Sequence, residues 1–253
     1  MIVSHLRKFI FLKSRKTAGT SLEIALSKHC GPDDILTPID FDEPMRLQVT
    51  GKRPQNYAKP LRELSAGQLY RQVVKGEKVE RFREHMAAVE ARKLLGPDIW
   101  NAYFKFTIVR NPFDRMLSRY FWSMKARPGN REILGVETLD QFLRYRPEYV
   151  NENWLIYTQG DRLLVDDVVR FESFESDLAR ISARIGLDRN LYEDMQSIRA
   201  KADFRPAEGG EDKRRATIGP AEAEIIRSLC AKEIEAFNYA VPEMAAGSRG
   251  AHG

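Results

Sequence analysis

A chain of 253 residues with 43% hydrophobic and 30% charged side chains has the composition of a globular protein, which excludes a disordered or fibrous chain. This length can bury a core without disulfides. The two cysteines, Cys30 and Cys230, lie far apart and suggest neither a disulfide framework nor a metal knuckle. The net charge of +5 suits a ligand with several phosphates, but it equally suits nucleic acid, an acidic glycan or a basic solvated surface.

No part of the sequence has the character of a targeting or membrane-spanning segment. The apolar run at 9–12 is shorter than a signal-peptide core, and no run approaches the roughly 20 apolar residues of a membrane helix. Sparse cysteines favour a reducing compartment. We therefore predict a cytoplasmic protein, with peripheral membrane contact left open. One domain is expected over 1–242, followed by a flexible tail at 243–253.

Predicted strands and helices alternate along the chain, which indicates an α/β fold with a mostly parallel sheet flanked by helices. Strands are predicted from short apolar, β-branched or aromatic runs, and helices from apolar residues three or four apart. Residues 31–60 contain five prolines, so irregular structure is expected there. In chain order the predicted elements are strand 8–12, a helix ending near 30, helices 61–75 and 89–95, strand 103–109, a helix from 112 to about 124, a hairpin within 154–165, strand 168–171, and helices 174–185 and 221–237.

The loop between the first predicted strand and helix has the character of a phosphate-binding loop. It reads Lys-Ser-Arg-Lys-Thr-Ala-Gly-Thr-Ser over residues 13–21. A helix N-terminus at the carboxyl end of a parallel strand offers N–H groups and positive dipole charge to a phosphate. Gly19 permits close backbone approach, and Lys16 can reach an anionic oxygen. The hydroxyl donors of the loop are Thr17, Thr20 and Ser21.

Two features of this loop limit the interpretation. The lysine precedes the glycine, which is the wrong order for the G-x-x-x-x-G-K-[ST] loop of ATP-binding proteins. Thr20 and Glu23 also fit a capping box, in which Thr20 would serve only the helix. Lys16 would then be an ordinary surface lysine, and both interpretations remain open.

A second candidate anion site follows the strand at 103–109. Arg110 ends this strand, Asn111 is a suitable N-cap, and Pro112 suits the first helical position. Ser118 lies off the apolar stripe of the helix, on the face that points to the strand end. An arginine fork with a serine hydroxyl suits a terminal phosphate. The alternative is that Arg110 pairs with Asp114 and Ser118 has no role.

Taken together and in this order, the two motifs resemble those of sulfotransferase family 2, which includes bacterial enzymes and carbohydrate sulfotransferases. The segment Lys16-Thr-Ala-Gly-Thr-Ser-Leu-Glu23 resembles the 5′-phosphosulfate loop, and the segment 109–120 resembles the 3′-phosphate motif. The resemblance covers most of the chain, least clearly at 31–80 and 188–215. The family loop usually has proline before the lysine and glycine after the threonine, where this chain has Arg15 and Ala18.

The resemblance implies a fold similar to that of nucleotide kinases and a sulfuryl transfer that needs no metal. The donor would be PAPS (3′-phosphoadenosine 5′-phosphosulfate), which leaves as PAP, and the acceptor a hydroxyl of a carbohydrate or glycolipid. Lys16 would bind the phosphosulfate, and Arg15 would add charge beside it. Arg110 and Ser118 would hold the 3′-phosphate. Backbone N–H groups for the 5′-phosphate would come from Thr17, Ala18, Gly19, Thr20 and Ser21.

A general base for the acceptor hydroxyl is expected at His85. The other histidines (His5, His29 and His252) lie before the first strand, at a helix end and in the tail. The resemblance supports this choice, because the catalytic histidine of the family's glycan 2-O-sulfotransferases lies at a similar place. An ordinary pKa near 6.5 would suit a base at neutral pH. Glu84 is the alternative base, and His85 as a packing residue is the alternative role.

Ten basic residues lie between Arg46 and Arg83, ends included. They suit either an acceptor wall for an anionic glycan or lipid-linked saccharide, or ordinary solvation. Two other function classes remain open. A nucleotide-dependent kinase would require ATP and Mg²⁺, and a non-catalytic polyanion binder would show salt-dependent binding without turnover. We expect no nucleic-acid partner, because no RNA motif or recognition helix is visible.

Overall fold

The computed structural model describes residues 1–126, 135–198 and 218–242, so the predicted tail at 243–253 lies outside the described residues. The chain divides into two compact units. The first comprises Met1–Val109 and Leu155–Ala200, and the second comprises Arg110–Trp154 and Lys201–Gly253.

The first unit is built on a five-stranded sheet with the strand order β3-β1-β2-β4-β7. Strands β2, β4 and β7 pair in parallel, while β1 pairs antiparallel with both β2 and β3. Only β1 is therefore inverted among the described strands of this sheet, which confirms the predicted mostly parallel sheet. The strands are β1 (Ile2–Ser4), β2 (Phe9–Leu12), β3 (Ile35–Leu36), β4 (Phe104–Val109), β5 (Thr158–Gln159), β6 (Arg162–Leu163) and β7 (Asp167–Arg170).

Both units contain helices. They are α1 (Gly19–Ser27), α2 (Glu43–Thr50), α3 (Ala66–Lys75), α4 (Ala88–Ala102), α5 (Pro112–Ala126), α6 (Leu139–Tyr145), α7 (Glu152–Tyr157), α8 (Phe174–Arg184), α9 (Leu191–Gln196), α10 (Pro220–Leu229) and α11 (Ala231–Phe237). Helix α5 begins where the sequence predicts, because the Asn111 side chain accepts the Phe113 N–H at 3.0 Å and Pro112 needs no N–H partner.

Each unit has its own apolar core. In the first, the rings of Phe9, Phe11 and Phe106 pack 5.3–5.8 Å apart across β2 and β4 and are fully buried. Such continuous apolar runs are expected for strands that are covered on both faces. In the second, the stripe predicted on α5 packs with α6 and α10, and Tyr120 and Phe142 meet edge to face at 5.8 Å.

The structure corrects several predicted element boundaries. Residues 31–60 are not irregular throughout, because α2 lies there and its proline occupies the first turn, where it is tolerated. The predicted helix 61–75 begins only at Ala66, where Ser65 and Gln68 form a capping box. The hairpin is confined to β5 and β6, and its predicted first arm is helical. The helix predicted at 89–95 continues to Ala102 beyond a break at Gly96, whose φ is +79°.

A buried ionic cluster joins the end of β2 to α1. Lys13, which directly follows β2, places its Nζ 3.0 Å from Glu23 Oε2 and also binds Glu84 Oε1. Glu23 further accepts the Met1 amino group at 2.7 Å and lies 3.6 Å from Arg46 Nη2. Burial alone would raise the pKa of Glu23, but the positive charges of Lys13, the Met1 amino group and Arg46 outweigh it and lower the pKa to about 2. This carboxylate therefore stays charged inside the fold.

Replacing this carboxylate by its neutral isostere should destabilise the protein strongly. In Glu23→Gln, the buried Lys13 and Arg46 lose their shared counter-charge, and we expect a loss of about 3–5 kcal/mol in unfolding free energy by urea denaturation. The native pKa lies below the ordinary 4.5. The contribution is thus complete above that pH and fades as the pH falls toward 2.

The matched control is Glu224→Gln, at an exposed carboxylate that pairs with Arg227 on α10. This change should alter stability by no more than about 0.5 kcal/mol. Equal losses for both variants would contradict a dominant role for the buried cluster.

Candidate functional site

The loop between β2 and α1 adopts a left-handed backbone at two non-glycine residues. Lys16 has φ +59° and Ala18 has φ +62°. Left-handed residues in a tight turn can aim successive backbone N–H groups at one point, which creates a concave anion site. This conformation costs an ordinary L-residue about 1–2 kcal/mol. Ala18, at the position where the family loop usually has glycine, thus adopts a conformation that favours glycine.

Hydrogen bonds inside the loop hold this conformation. Ser14 Oγ donates to the Ile108 carbonyl at 2.5 Å and lies 2.8 Å from Thr17 Oγ1. Both residues are buried. The Thr17 hydroxyl therefore holds the loop together in this structure, and its role as a donor to the ligand stays a prediction. Its backbone N–H remains a candidate for anion binding.

The start of α1 is suited to an anion. The helix begins at Gly19 after Ala18, and within this described loop and helix no side chain caps the N-terminus and no acid lies in the first turn. The first N–H groups of a helix have no intrahelical partner, so Gly19, Thr20 and Ser21 present theirs at this end. The capping-box alternative is wrong, since Thr20 is already helical and Glu23 binds Lys13 instead.

Position 19 accepts only glycine for a packing reason. A Cβ there would lie 2.9 Å from Lys13 Cγ and 3.3 Å from the Ser14 carbonyl oxygen. Both atoms are held in place, the first by the ionic cluster and the second by the loop backbone. The close approach of α1 to the end of β2 thus depends on Gly19.

The structure places His85 against the same loop. Its Nδ1 lies 2.9 Å from the Lys13 carbonyl oxygen, which can only accept, so Nδ1 carries the proton and Nε2 keeps its lone pair. Nε2 lies 3.6 Å from Glu84 Oε1, which itself binds Lys13. Both candidates for the general base, His85 and Glu84, therefore contact Lys13, the first residue of the loop. The backbone of His85 is also left-handed, with φ +57°.

The pKa of His85 differs from the ordinary value expected from sequence. Burial lowers it, and the positive charges of Arg15 and Lys13 lower it further, to about 2. The imidazole is thus neutral at neutral pH and is a weak base in this structure.

Arg110 and Ser118 belong to the second unit, while Lys16 and His85 belong to the first. Arg110 is almost fully buried, and its Nε donates to Asp114 Oδ2 at 2.6 Å. The pairing that the sequence left open is therefore present, and it fixes the direction of the guanidinium. Ser118 is half-buried on α5.

Sequence reasoning misjudged three parts of the surroundings. It assigned no role to Lys13, although a lysine directly after a buried strand was a usable signal. It placed Arg46 in a surface wall, whereas the side chain is fully buried and binds the Thr37 carbonyl. It also named no aromatic surface. The structure shows a groove of about 690 Å³ beyond β7 that includes Phe171, Phe174 and Tyr192.

The fold and the loop define an α/β protein with an anion-suited turn after its second strand. The model of the sulfotransferase family matches residues 1–240, and the chain therefore belongs to the sulfotransferase family. This confirms the family predicted from the two motifs. Sulfuryl transfer is the general activity of that family.

Two individual proteins resemble the chain more distantly. An uncharacterized protein of Archaeoglobus fulgidus is 26% identical over 116 residues, covering 42% of this chain and 87% of that protein. The crystal structure of a sulfotransferase from Alicyclobacillus acidocaldarius is 18% identical and covers 92% of this chain and 96% of that chain, with a TM-score of 0.42.

A pair of neighbouring substitutions tests the loop geometry. Ala18→Gly should raise the unfolding free energy by about 0.5–1 kcal/mol. Relief of the left-handed strain exceeds the extra freedom that glycine gives the unfolded chain. Gly19→Ala should lower the unfolding free energy by about 1–3 kcal/mol, because its Cβ meets Lys13 and Ser14. Urea denaturation measures both, and the opposite order would refute the loop conformation.

Proposed function

We propose that this chain transfers a sulfuryl group from PAPS to a hydroxyl of a carbohydrate or glycolipid acceptor. The observation that carries the proposal is the loop 13–21, where a strained turn and an uncapped helix start lie beside a neutral, half-buried histidine in a member of the sulfotransferase family. A cytoplasmic location stays a prediction. No helix in the described ranges is long and apolar enough to cross a membrane.

The donor's anionic end suits this loop electrostatically. The N–H groups from Thr17 to Ser21 would hold the 5′-phosphate, with Lys16 and Arg15 supplying positive charge. The ammonium of Lys13 is already matched by Glu23 and Glu84, so its part is to position the loop. Arg110 and Ser118 are the proposed ligands of the 3′-phosphate.

The proposed transfer is a direct in-line displacement at sulfur. The acceptor oxygen forms a bond to sulfur while the bond from sulfur to the 5′-phosphate oxygen breaks, and PAP leaves. Lys16 would neutralise the charge that develops on that leaving oxygen, and fixed N–H donors would stabilise it without reorganisation. The acceptor proton would pass to Nε2 of His85.

The environment of His85 supports this role. Its Nδ1–H is anchored on a backbone carbonyl, which fixes the ring and directs the basic nitrogen. A donor with several negative charges would oppose the fields of Arg15 and Lys13 and raise the proton affinity of the ring. The base would then strengthen only when the donor is bound. Glu84 remains the alternative proton acceptor.

The proposed acceptor class is argued from the basic segment. Arg46 is fully buried, so nine basic residues of this segment remain, from Lys52 to Arg83. Several form local pairs, such as Arg83 with Glu90 at 2.5 Å. An anionic or glycolipid acceptor matches the remaining positive charge. If so, simultaneous charge reversal in this segment raises acceptor KM.

Calorimetric titration without metal tests the donor assignment. PAP and AMP differ only by the 3′-phosphate, so the proposal predicts tighter binding of PAP than of AMP. Lys16→Ala should weaken both nucleotides by about tenfold or more, through loss of one charged contact. Arg110→Lys and Ser118→Ala should instead reduce the preference for PAP. The matched control is Lys93→Ala at an exposed lysine of α4, which should change neither.

Two outcomes would overturn the donor assignment. Preferential binding of ATP with Mg²⁺ would move the protein to the kinase class. Absence of nucleotide binding together with strongly salt-dependent retention on a polyanion would indicate a non-catalytic binder.

Substitution of the histidine tests the base. His85→Asn can still donate to the Lys13 carbonyl but has no basic nitrogen, so we expect kcat to fall by about 10²–10⁴-fold while PAP affinity is unchanged. PAP release from PAPS is followed with a panel of saccharide and glycolipid acceptors. Because the pKa of His85 in the free enzyme is about 2, kcat/KM for PAPS should show no acid limb near 6.5.

Glu84→Gln is the companion variant for this experiment. It keeps the size of the side chain but removes the alternative proton acceptor. Full turnover in His85→Asn combined with loss in Glu84→Gln would transfer the role of base to Glu84.

A further inference from the structure

The segment 60–78 forms an excursion from the fold whose two ends are joined by hydrogen bonds. The Lys59 N–H donates to the Val79 carbonyl at 2.8 Å, and the Arg81 N–H donates to the Tyr57 carbonyl at 2.8 Å. The residues between these ties contain α3. We call residues 60–78 the α3 excursion.

The apolar face of α3 is directed to solvent. At 100° per residue, Ala66, Leu69, Tyr70, Val73 and Val74 lie on one side of the helix. Their larger members are exposed to 40% at Leu69, 62% at Tyr70, 74% at Val73 and 60% at Val74. None of the ten residues of α3, all within the described range, is buried.

This pattern is the reverse of that expected for a helix in a globular protein. The spacing of the apolar residues predicted a helix over 61–75, and such an apolar face usually packs on a core, yet α3 contributes nothing to either core. Single exposed apolar residues are common, but a continuous apolar helix face indicates an interaction surface. The ties at both ends show that the excursion is held by backbone hydrogen bonds rather than by burial of α3.

The charges beside this face indicate its partner. The helix carries Arg71 and Lys75 and no acidic residue, and the whole α3 excursion holds four basic and two acidic residues. Arg71 and Lys75 lie on the polar arc beside the apolar arc. An apolar face with a basic edge is the composition of a helix that lies in the interface of an anionic bilayer.

We propose that the α3 excursion docks this protein on anionic phospholipid membranes, with Leu69, Tyr70, Val73 and Val74 in the headgroup region and Arg71 and Lys75 on the lipid charges. A second copy of the chain fits less well, because paired helices would bring these cations together and a stable dimer buries about 800 Å² on each partner. The proposal does not depend on sulfotransferase activity.

Vesicle flotation of the full chain tests the proposal without donor or acceptor. Vesicles of phosphatidylcholine alone are compared with vesicles containing about 30% phosphatidylglycerol, at about 0.1 M salt. Wild type should float with the anionic vesicles and not with the neutral ones. Val73→Asp should weaken binding by about tenfold or more, and so should Arg71→Glu combined with Lys75→Glu.

Matched controls separate this surface from general effects. Leu6→Asp changes an equally exposed apolar residue between β1 and β2, and Arg92→Glu combined with Lys93→Glu reverses two exposed charges on α4. Both should bind within about twofold of wild type. Circular dichroism confirms that each variant is folded, which is expected because α3 lies outside the cores.

Each other outcome overturns the proposal. Failure of wild type to float with anionic vesicles would refute it, as would equal losses in the controls. Binding that survives Val73→Asp would indicate a purely electrostatic polyanion surface. A dimer in light scattering that Val73→Asp dissociates, without vesicle binding, would assign the face to a second copy.

Discussion

The candidate site depends on the ion pairs of the buried Lys13 ammonium. It lies at the end of β2, pairs with Glu23 from α1 and with Glu84, and its own carbonyl accepts the His85 Nδ1–H. One residue thus joins the strand end, the helix and the base candidates. Burial lowers the pKa of Lys13, but the carboxylates of Glu23 and Glu84 outweigh it and raise the pKa. Lys13 therefore stays charged, and its ion pairs hold the strand end, the helix and Glu84 together.

These ion pairs help to explain the strained turn that follows Lys13. Lys16 and Ala18 hold left-handed conformations that isolated residues would avoid, and the fixed ends at Lys13 and α1 impose them. The result is a helix start without a cap, a positively charged turn and a neutral imidazole. The proposed donor, with its negative charges, would offset the positive charges of Arg15 and Lys13 that lower the pKa of His85. Binding and activation of the base would thereby be coupled.

The sequence predicted the sheet, α1, α5 and the two motifs because periodicity and local caps determine them. It did not reveal the partner of Glu23, the burial of Arg46 or the exposure of the apolar face of α3, because these depend on what packs against each face. Glu23 fitted a capping box at four-residue range, but its partner is Lys13 on the other side of the loop. The spacing in α3 correctly gave an apolar face, yet spacing does not determine whether a face is covered. His85 meets Lys13 over 72 positions of chain, a contact that only the fold provides.

We propose that the loop 13–21 holds the phosphosulfate end of the donor. A crystal structure with PAP bound would show where both phosphates of the nucleotide lie. We expect the 5′-phosphate on the backbone N–H groups from Thr17 to Ser21 beside Lys16, and the 3′-phosphate on Arg110 and Ser118. A 5′-phosphate bound elsewhere, with the loop 13–21 contacting only water, would contradict the claim.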